Sequence, residues 1–283
     1  GDPSGASDSE GQGGASALES WEFHDLLFHS RSRRGRWDAP FGTTYRLAHR
    51  PPPPALKTTV EGDWLELFRP DIERLKRDDP PLAQVTEQRR SVRQYGADPI
   101  TARQLGEFLF RTARVTRHWQ SEVSAPSGPL TMDFTARPYP SGGGLYELEV
   151  YLAVKNCAGV EPGLHYYDPQ GHRLKALCGA TRDVEAILAD AAASAGIAAQ
   201  SLQVLVILAA RFSRTAWKYE SIAYALTLKH VGVVFQTMYL AATAMGLAPC
   251  AVGCGDSDLF ARAAGTDYCV ETSVGEFLLG SKE

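Results

Sequence analysis

Apolar positions follow two periods along the chain, and their order predicts a protein of mixed helix and strand. Glu22 to Arg34 sets Phe23, Leu26 and Leu27 on one side of a helix. Four consecutive prolines, Pro51 to Pro54, are barred from a helix interior and predict an extended spacer. Helix-compatible apolar residues return from Thr59 to Lys76 and stop at Asp78 to Pro81. Pro81 to Arg90 predicts a further helix. Thr101 reads as the N-cap of the next one, which carries Leu105, Phe108, Leu109 and Val115 inside. Ser121 to Tyr139 is loop-like, with a short strand near Leu130 to Phe134. Glu149 to Lys155 reads as a strand, and Gly163 to Asp168 with His172 to Leu177 as a hairpin. Thr181 to Ala195 reads as a helix. Val204 to Ala210 is apolar throughout, which suits a central strand. Tyr219 to Met245 carries the longest helical period, and Gly246 stops it. Ala251 to Val252 reads as a short buried strand, Ser257 to Ala264 as a helix and Gly275 to Leu279 as a last strand. In this reading helices outnumber strands and the strands are dispersed. That predicts an α+β fold with helices around one sheet.

Composition narrows the class. The 283 residues carry 29 lysines and arginines against 33 aspartates and glutamates, a formal charge of -4. Such a balance leaves no footprint for nucleic acid or an anionic membrane. The five cysteines are scattered, which excludes a disulfide framework and points to a reducing, cytoplasmic setting. Cys250 and Cys254 lack a second ligand pair and read as small buried residues near a strand. Ile222 to Ala248 is apolar, but Lys229, His230 and Gln236 interrupt it, so a buried helix is expected rather than a membrane span. Residues 1–20, rich in Gly, Ser, Asp and Glu, lack the basic start and apolar centre of a signal peptide and predict a disordered tail. Residues 21–80 follow as an N-terminal extension, and 81–283 as the main domain.

Four segments carry candidate chemistry. Arg89, Arg90, Ser91 and Arg93 end a helix with guanidiniums and a hydroxyl, a set that suits a phosphate monoester. The same run also fits a solvated surface. In Pro138 to Gly144, successive glycines let backbone approach a flat ligand and aim N–H groups at it; a flexible turn is the plainer reading. The segment has neither the Walker ending nor the dinucleotide spacing. Trp217, Lys218 and Tyr219 lie at a strand–helix junction, where a lysine of lowered pKa beside a tyrosine offers a proton acceptor and a donor. An amphipathic anchor at a helix start fits them too. Gly246 to Gly255 is rich in small residues that let a ring or a second backbone pack close.

Taken in order, these pieces resemble the FMN-dependent nitroreductase superfamily, and within it the SagB-type dehydrogenases, the azoline oxidases of thiazole- and oxazole-forming peptide pathways. The matching text is RRSVRQY (89–95), RPYPSGGGLYELEVYLAV (137–154), GLHYYDPQGHRLKAL (163–177), WKYESIAYALTLKHVGVVFQTMYLAATAMGLAPCAVG (217–253) and GEFLLG (275–280). The resemblance spans about 200 residues, one domain's worth of pattern. It implies a nitroreductase-like fold with a mixed or antiparallel sheet, and FMN held at the interface of a homodimer. By resemblance, Arg89, Ser91 and Arg93 hold the phosphate and ribityl chain, with Lys282 reaching the phosphate. Pro140, Ser141, Gly142 and Gly143 lie along the isoalloxazine ring, and Ala251, Val252 and Gly253 approach it from the other side. The adjacent Lys218–Tyr219 pair matches the pair that azoline oxidases need for turnover and that most plain nitroreductases lack.

The implied reaction removes a hydride and a proton from a thiazoline or oxazoline in a ribosomally made peptide. The flavin takes the hydride, Lys218 or Tyr219 takes the proton, and oxygen reoxidises the flavin. A cyclodehydratase is the implied partner. Three other readings stay open at this point: a nicotinamide-dependent reductase, which the Lys–Tyr pair argues against; an oxidase of carrier-tethered nonribosomal peptides; and a scaffold for a cyclodehydratase.

Overall fold

The computed structural model describes residues 17–58 and 62–283, so the expected tail falls outside the described residues except at 17–20. Elements are numbered in chain order. The N-terminal region holds helix α1 (Phe23–Arg31), strand β1 (Gly42–Thr43), strand β2 (Leu65–Glu66) and helix α2 (Ile72–Asp78). Helices α3 (Leu82–Gln88) and α4 (Ala102–Thr112) follow, then the hairpin β3 (Arg117–Ala125) and β4 (Gly128–Ala136). Next come β5 (Leu148–Val154), β6 (Gly163–Asp168), β7 (Arg173–Gly179), α5 (Arg182–Ala195) and β8 (Val204–Arg211). The chain closes with α6 (Phe212–Lys218), β9 (Tyr219–Glu220), α7 (Ala223–Ala244), β10 (Leu247–Val252), α8 (Ser257–Ala264) and β11 (Glu271–Ser281).

The expected α+β class holds: seven strands form one antiparallel sheet in the order β10-β11-β8-β5-β6-β7-β2, with helices on both faces. Strands β5 and β8 are buried along their full length, which accounts for their unbroken apolar text. On one face Leu148, Val150 and Leu152 join Val206 and Leu208 against α4 and α7. On the other, Tyr151 and Ala153 join Leu205 and Ile207 against α5 and α8. Side chains of a strand alternate between faces, so one run of sequence feeds two cores. Thr101 caps α4 as expected, in a capping box with Gln104.

Several expectations need correction. Strands outnumber helices among the described residues, because short pairing segments leave weak patterns. Ser121 to Tyr139 is mostly a long hairpin: β3 and β4 pair through nine registers, and their polar outer face hid the alternation. Of the helix-compatible stretch Thr59 to Lys76, residues 59–61 lie outside the described residues, and the rest holds β2 followed by the short α2, which Asp71 caps. Tyr219 belongs to a strand, with α6 inserted ahead of it, so the long helix begins later than its apolar period. Cys250 is buried as expected, but Cys254 is exposed, because it lies beyond the end of β10 at Val252.

The proline run is extended and fastened. The Arg211 guanidinium donates to the carbonyls of Pro54 at 3.0 Å and Ala55 at 2.9 Å. Arg214, almost wholly buried, donates to the carbonyls of Pro53 and Leu145. Burial lowers its pKa to about 10, so it stays cationic at neutral pH. Replacing it, as Arg214→Met, leaves both carbonyls without this donor and should lower stability by roughly 2–4 kcal/mol. The thermal midpoint should fall by roughly 5–15 °C. An unchanged midpoint would show that the proline run is held elsewhere.

Candidate active site

Two clusters of the expected site residues form within the chain. The first gathers around the Gly-rich loop. Ser141 opens a tight turn over Gly142–Gly144, and Gly143 has a φ of +63°. A Cβ on Gly143 would lie 2.7 Å from the Tyr219 hydroxyl and 2.8 Å from Lys218 Nζ. The loop therefore runs directly under both side chains, and only a residue without a side chain allows that approach. Pro140 and Gly143 are exposed, Ser141 and Gly142 half-buried.

The glycine amides are not all free for a ligand, contrary to the expectation that successive N–H groups point outward. Gly142 N–H donates to His230 Nε2 at 2.7 Å, and Gly144 N–H to the Ser141 carbonyl at 3.1 Å. Accepting at Nε2 leaves the His230 proton on Nδ1, which donates to Glu147 Oε1 at 2.6 Å. Glu147 is fully buried, and its second oxygen has no partner among the described residues. Neither His230 nor Glu147 stood out in the motifs. The available signal was a histidine, beside Lys229, inside a largely apolar helix.

Lys218 and Tyr219 end α6 and begin β9, half-buried beside Trp217. Burial lowers the Lys218 pKa below the ordinary 10.5 and raises that of Tyr219 above 10.0. Burial thus favours a neutral amine next to a protonated phenol.

The second cluster lies around Tyr239. Ala251 N–H donates to the Tyr239 hydroxyl at 2.8 Å, and Ser91 shares a hydrogen bond with that hydroxyl at 2.6 Å. The Arg89 guanidinium lies over the Tyr239 ring at 5.2 Å. Val92 N–H donates to the Pro249 carbonyl at 2.8 Å, which aligns the segment with β10. Arg93 is exposed and acts electrostatically on Tyr95 and Cys250. Arg90 is exposed at the end of α3. Val252 is buried at the end of β10, and Gly253, just beyond, is exposed with open space around it. The Lys282 backbone packs against Gly96, and its side chain is exposed. No carboxylate among the described residues pairs with Arg89, Arg90 or Arg93. No His, Cys, Asp or Glu group among them could hold a metal, and no helix is long and apolar enough to cross a membrane.

The two clusters are not brought together within one chain. His230 and Tyr239 are nine residues apart on α7. That is about 13 Å along the axis and about half a turn around it.

Residues 86–280 match the model of the nitroreductase family. The chain belongs to the nitroreductase family. A further match, to the model named cyanobactin oxidase ThcOx, covers residues 4–38. The provisionally named nitroreductase MJ1384 of Methanocaldococcus jannaschii is 34% identical over 192 residues, 68% of this chain and 85% of that protein. Among solved structures, a nitroreductase-fold protein of Anabaena variabilis aligns with a TM-score of 0.60 at 21% identity. That alignment covers 90% of this chain, and the chain spans only 45% of the Anabaena protein. A chain of the E. coli microcin synthetase McbBCD complex with truncated pro-MccB17 bound aligns with a TM-score of 0.53 at 16% identity, over 91% of both chains. These two likenesses show the fold.

Nitroreductase-family proteins are FMN-dependent oxidoreductases. The residues present fit that cofactor. Arg89, Ser91 and Arg93 supply cationic and hydroxyl donors without competing carboxylates. Gly143, without a Cβ, lets the loop backbone come close under Lys218 and Tyr219, where a side chain would collide with both. Replacing His230 with Ala leaves Gly142 N–H and the Glu147 carboxylate without this partner, at a cost of roughly 1–3 kcal/mol. The variant should unfold at lower temperature, and added FMN should raise its midpoint less than in wild type. Equal midpoints and equal FMN shifts in the two proteins would remove His230 from the site.

Proposed function

We propose that this nitroreductase-family oxidoreductase oxidises thiazoline or oxazoline rings of a ribosomally made peptide to thiazoles or oxazoles. The observation that carries the reading is the convergence of Lys218 Nζ and the Tyr219 hydroxyl on Gly143. A loop suited to a flat ring thus lies beside a proton acceptor and a donor. The cyanobactin oxidase match at residues 4–38 and the fold shared with a microcin synthetase chain support it. They also favour a cyclodehydratase as partner. A nicotinamide-dependent reductase would have no evident use for the pair.

FMN, when bound, supplies the hydride acceptor. Lys218 Nζ takes the proton from the neighbouring ring carbon, and its lowered pKa increases the share of free amine. Tyr219 keeps its proton and donates a hydrogen bond at the reacting ring. His230 and Glu147 hold the loop on which the ring planes must align. Arg89, Ser91, Arg93 and Lys282 would hold the phosphate, and Arg90 would add positive potential from outside. Pro140, Ser141, Gly142 and Gly143 would line one side of the ring system, and Ala251, Val252 and Gly253 the other.

The same placement supports a homodimer. The loop cluster and the Tyr239 cluster lie on different sides of α7, so a second copy brings one of each together. Tyr224 and Leu228, exposed at 47% and 40% on α7, offer apolar surface for that contact.

Lys218→Ala should retain FMN and lower azole formation by about 10²–10⁴-fold, read as the loss of two hydrogens from an azoline peptide by mass spectrometry. Unchanged azole yield would sink the assigned role. In wild type the rate should rise with pH as Lys218 loses its proton, with an inflection below 10.5. Tyr219 should add no falling limb below 10.0. Light scattering should give a dimer, and a monomer that binds FMN would overturn the interface site. A flavin band that survives NADH and NADPH under anaerobic conditions separates this oxidase from a nicotinamide-dependent reductase.

A further inference from the structure

The reading of Lys218 and Tyr219 as a proton-handling pair leaves the N-terminal extension without a part. Its contacts supply one. Strand β1 pairs with β9 in antiparallel register, setting Thr43 opposite Tyr219 and Gly42 opposite Glu220. That register puts the Thr43 hydroxyl next to the Tyr219 phenol, where it favours the ionised form, and Thr44 donates to Glu220 Oε2 at 3.0 Å. Ser221, just beyond β9, donates to the Pro40 carbonyl at 2.8 Å. The Trp217 indole N–H donates to the Arg50 carbonyl at 3.0 Å. Residues on both sides of Lys218 and Tyr219 are thus gripped by residues 40–50.

Tyr45 is the centre of this grip. Its backbone N–H donates to the Lys218 carbonyl at 3.1 Å. Its ring meets the buried Trp217 edge-on at 5.6 Å, and Lys218 Nζ lies 5.9 Å from its centroid. Tyr45 holds this place at a φ of +52°, a conformation that side chains with a Cβ rarely adopt. Such strain persists only where the surroundings over-determine it, and it clusters at functional sites. The segment is fixed from its far end as well, by Arg211 and Arg214 on the proline run.

We infer that residues 40–50 form a strap that completes the active site, with Tyr45 as a positioning residue that sets Lys218 over the Gly-rich loop and shields it from water. Thr43 does the same for Tyr219. Neither residue takes part in bond making. Their effect is on where the amine and phenol sit and on how readily each gives up its proton.

The test is an NMR titration of ¹³C-dimethylated lysines in the FMN-loaded protein, with the Lys218 signal assigned by its absence in Lys218→Arg. In Tyr45→Ala the Lys218 pKa should rise toward the ordinary lysine value as water gains access. On an azoline peptide kcat should fall at least 10-fold, with KM changed less than 3-fold; these are order-of-magnitude expectations for a misplaced general base. Tyr45→Phe keeps the ring and should restore both readouts. If Tyr45→Ala does not fold, Thr43→Val serves instead: it keeps a strand-favouring shape and should raise the Tyr219 pKa and lower kcat. An unchanged Lys218 titration in folded Tyr45→Ala, or an unchanged Tyr219 titration in Thr43→Val, overturns the strap. The titrations do not depend on substrate. Should they shift while no azoline peptide is oxidised even by wild type, the strap stands and the azoline reading falls.

Discussion

Complete burial of β5 and β8 is the constraint on which the rest depends. An antiparallel pair covered on both faces leaves its polar ends nowhere to go but inward. The start of β5 and the end of β8 meet at one end of the sheet, where Arg211 N–H donates to the Glu147 carbonyl at 3.0 Å. Glu147, Glu149, Arg211 and Arg214 crowd there, each shut off from water. Each buried charge has to find a partner: Glu149 takes Arg211 and Tyr166, while Glu147, Arg211 and Arg214 also reach out to His230 and to the proline run.

That requirement organises two devices. Glu147 orients His230, and His230 holds the Gly142 amide, so a core carboxylate sets the shape of the Gly-rich loop. Arg211 and Arg214 hold the carbonyls of the proline run, so core cations set the path of the N-terminal segment. Both devices end at Lys218 and Tyr219, one from below through Gly143 and one from the side through β1. A rigid two-faced core is thereby converted into a fixed geometry for a lysine and a tyrosine. Burial then tunes the pair in opposite directions, because it penalises whichever form is charged.

Helix α7 links this end of the molecule to the other cluster. Its apolar text reflects burial against β10 and β11 on one side, while Tyr224 and Leu228 stay partly exposed. The same helix carries His230 and Tyr239 on opposite sides, which makes it the divider between the loop cluster and the Ser91 cluster.

The α+β class, the two central strands, the capped α4 and the long α7 were legible in the chain, because core burial writes a strong period. The Gly-rich loop, the Arg89–Arg93 run and Lys218–Tyr219 were legible as candidate chemistry, since each is contiguous in sequence. The hairpin β3–β4 was not, for its outer face is polar, nor was β9, too short to carry any pattern. Local sequence by itself determined which groups are available: guanidiniums, glycines, an amine and a phenol. Only the tertiary structure decided which meet. His230 reaches Gly142 across 88 positions and Thr43 reaches Tyr219 across a ladder between distant segments, and no local pattern encodes contacts of that range. Their pairing arises from the need to satisfy buried polar groups, a property of the packed molecule rather than of any stretch of it.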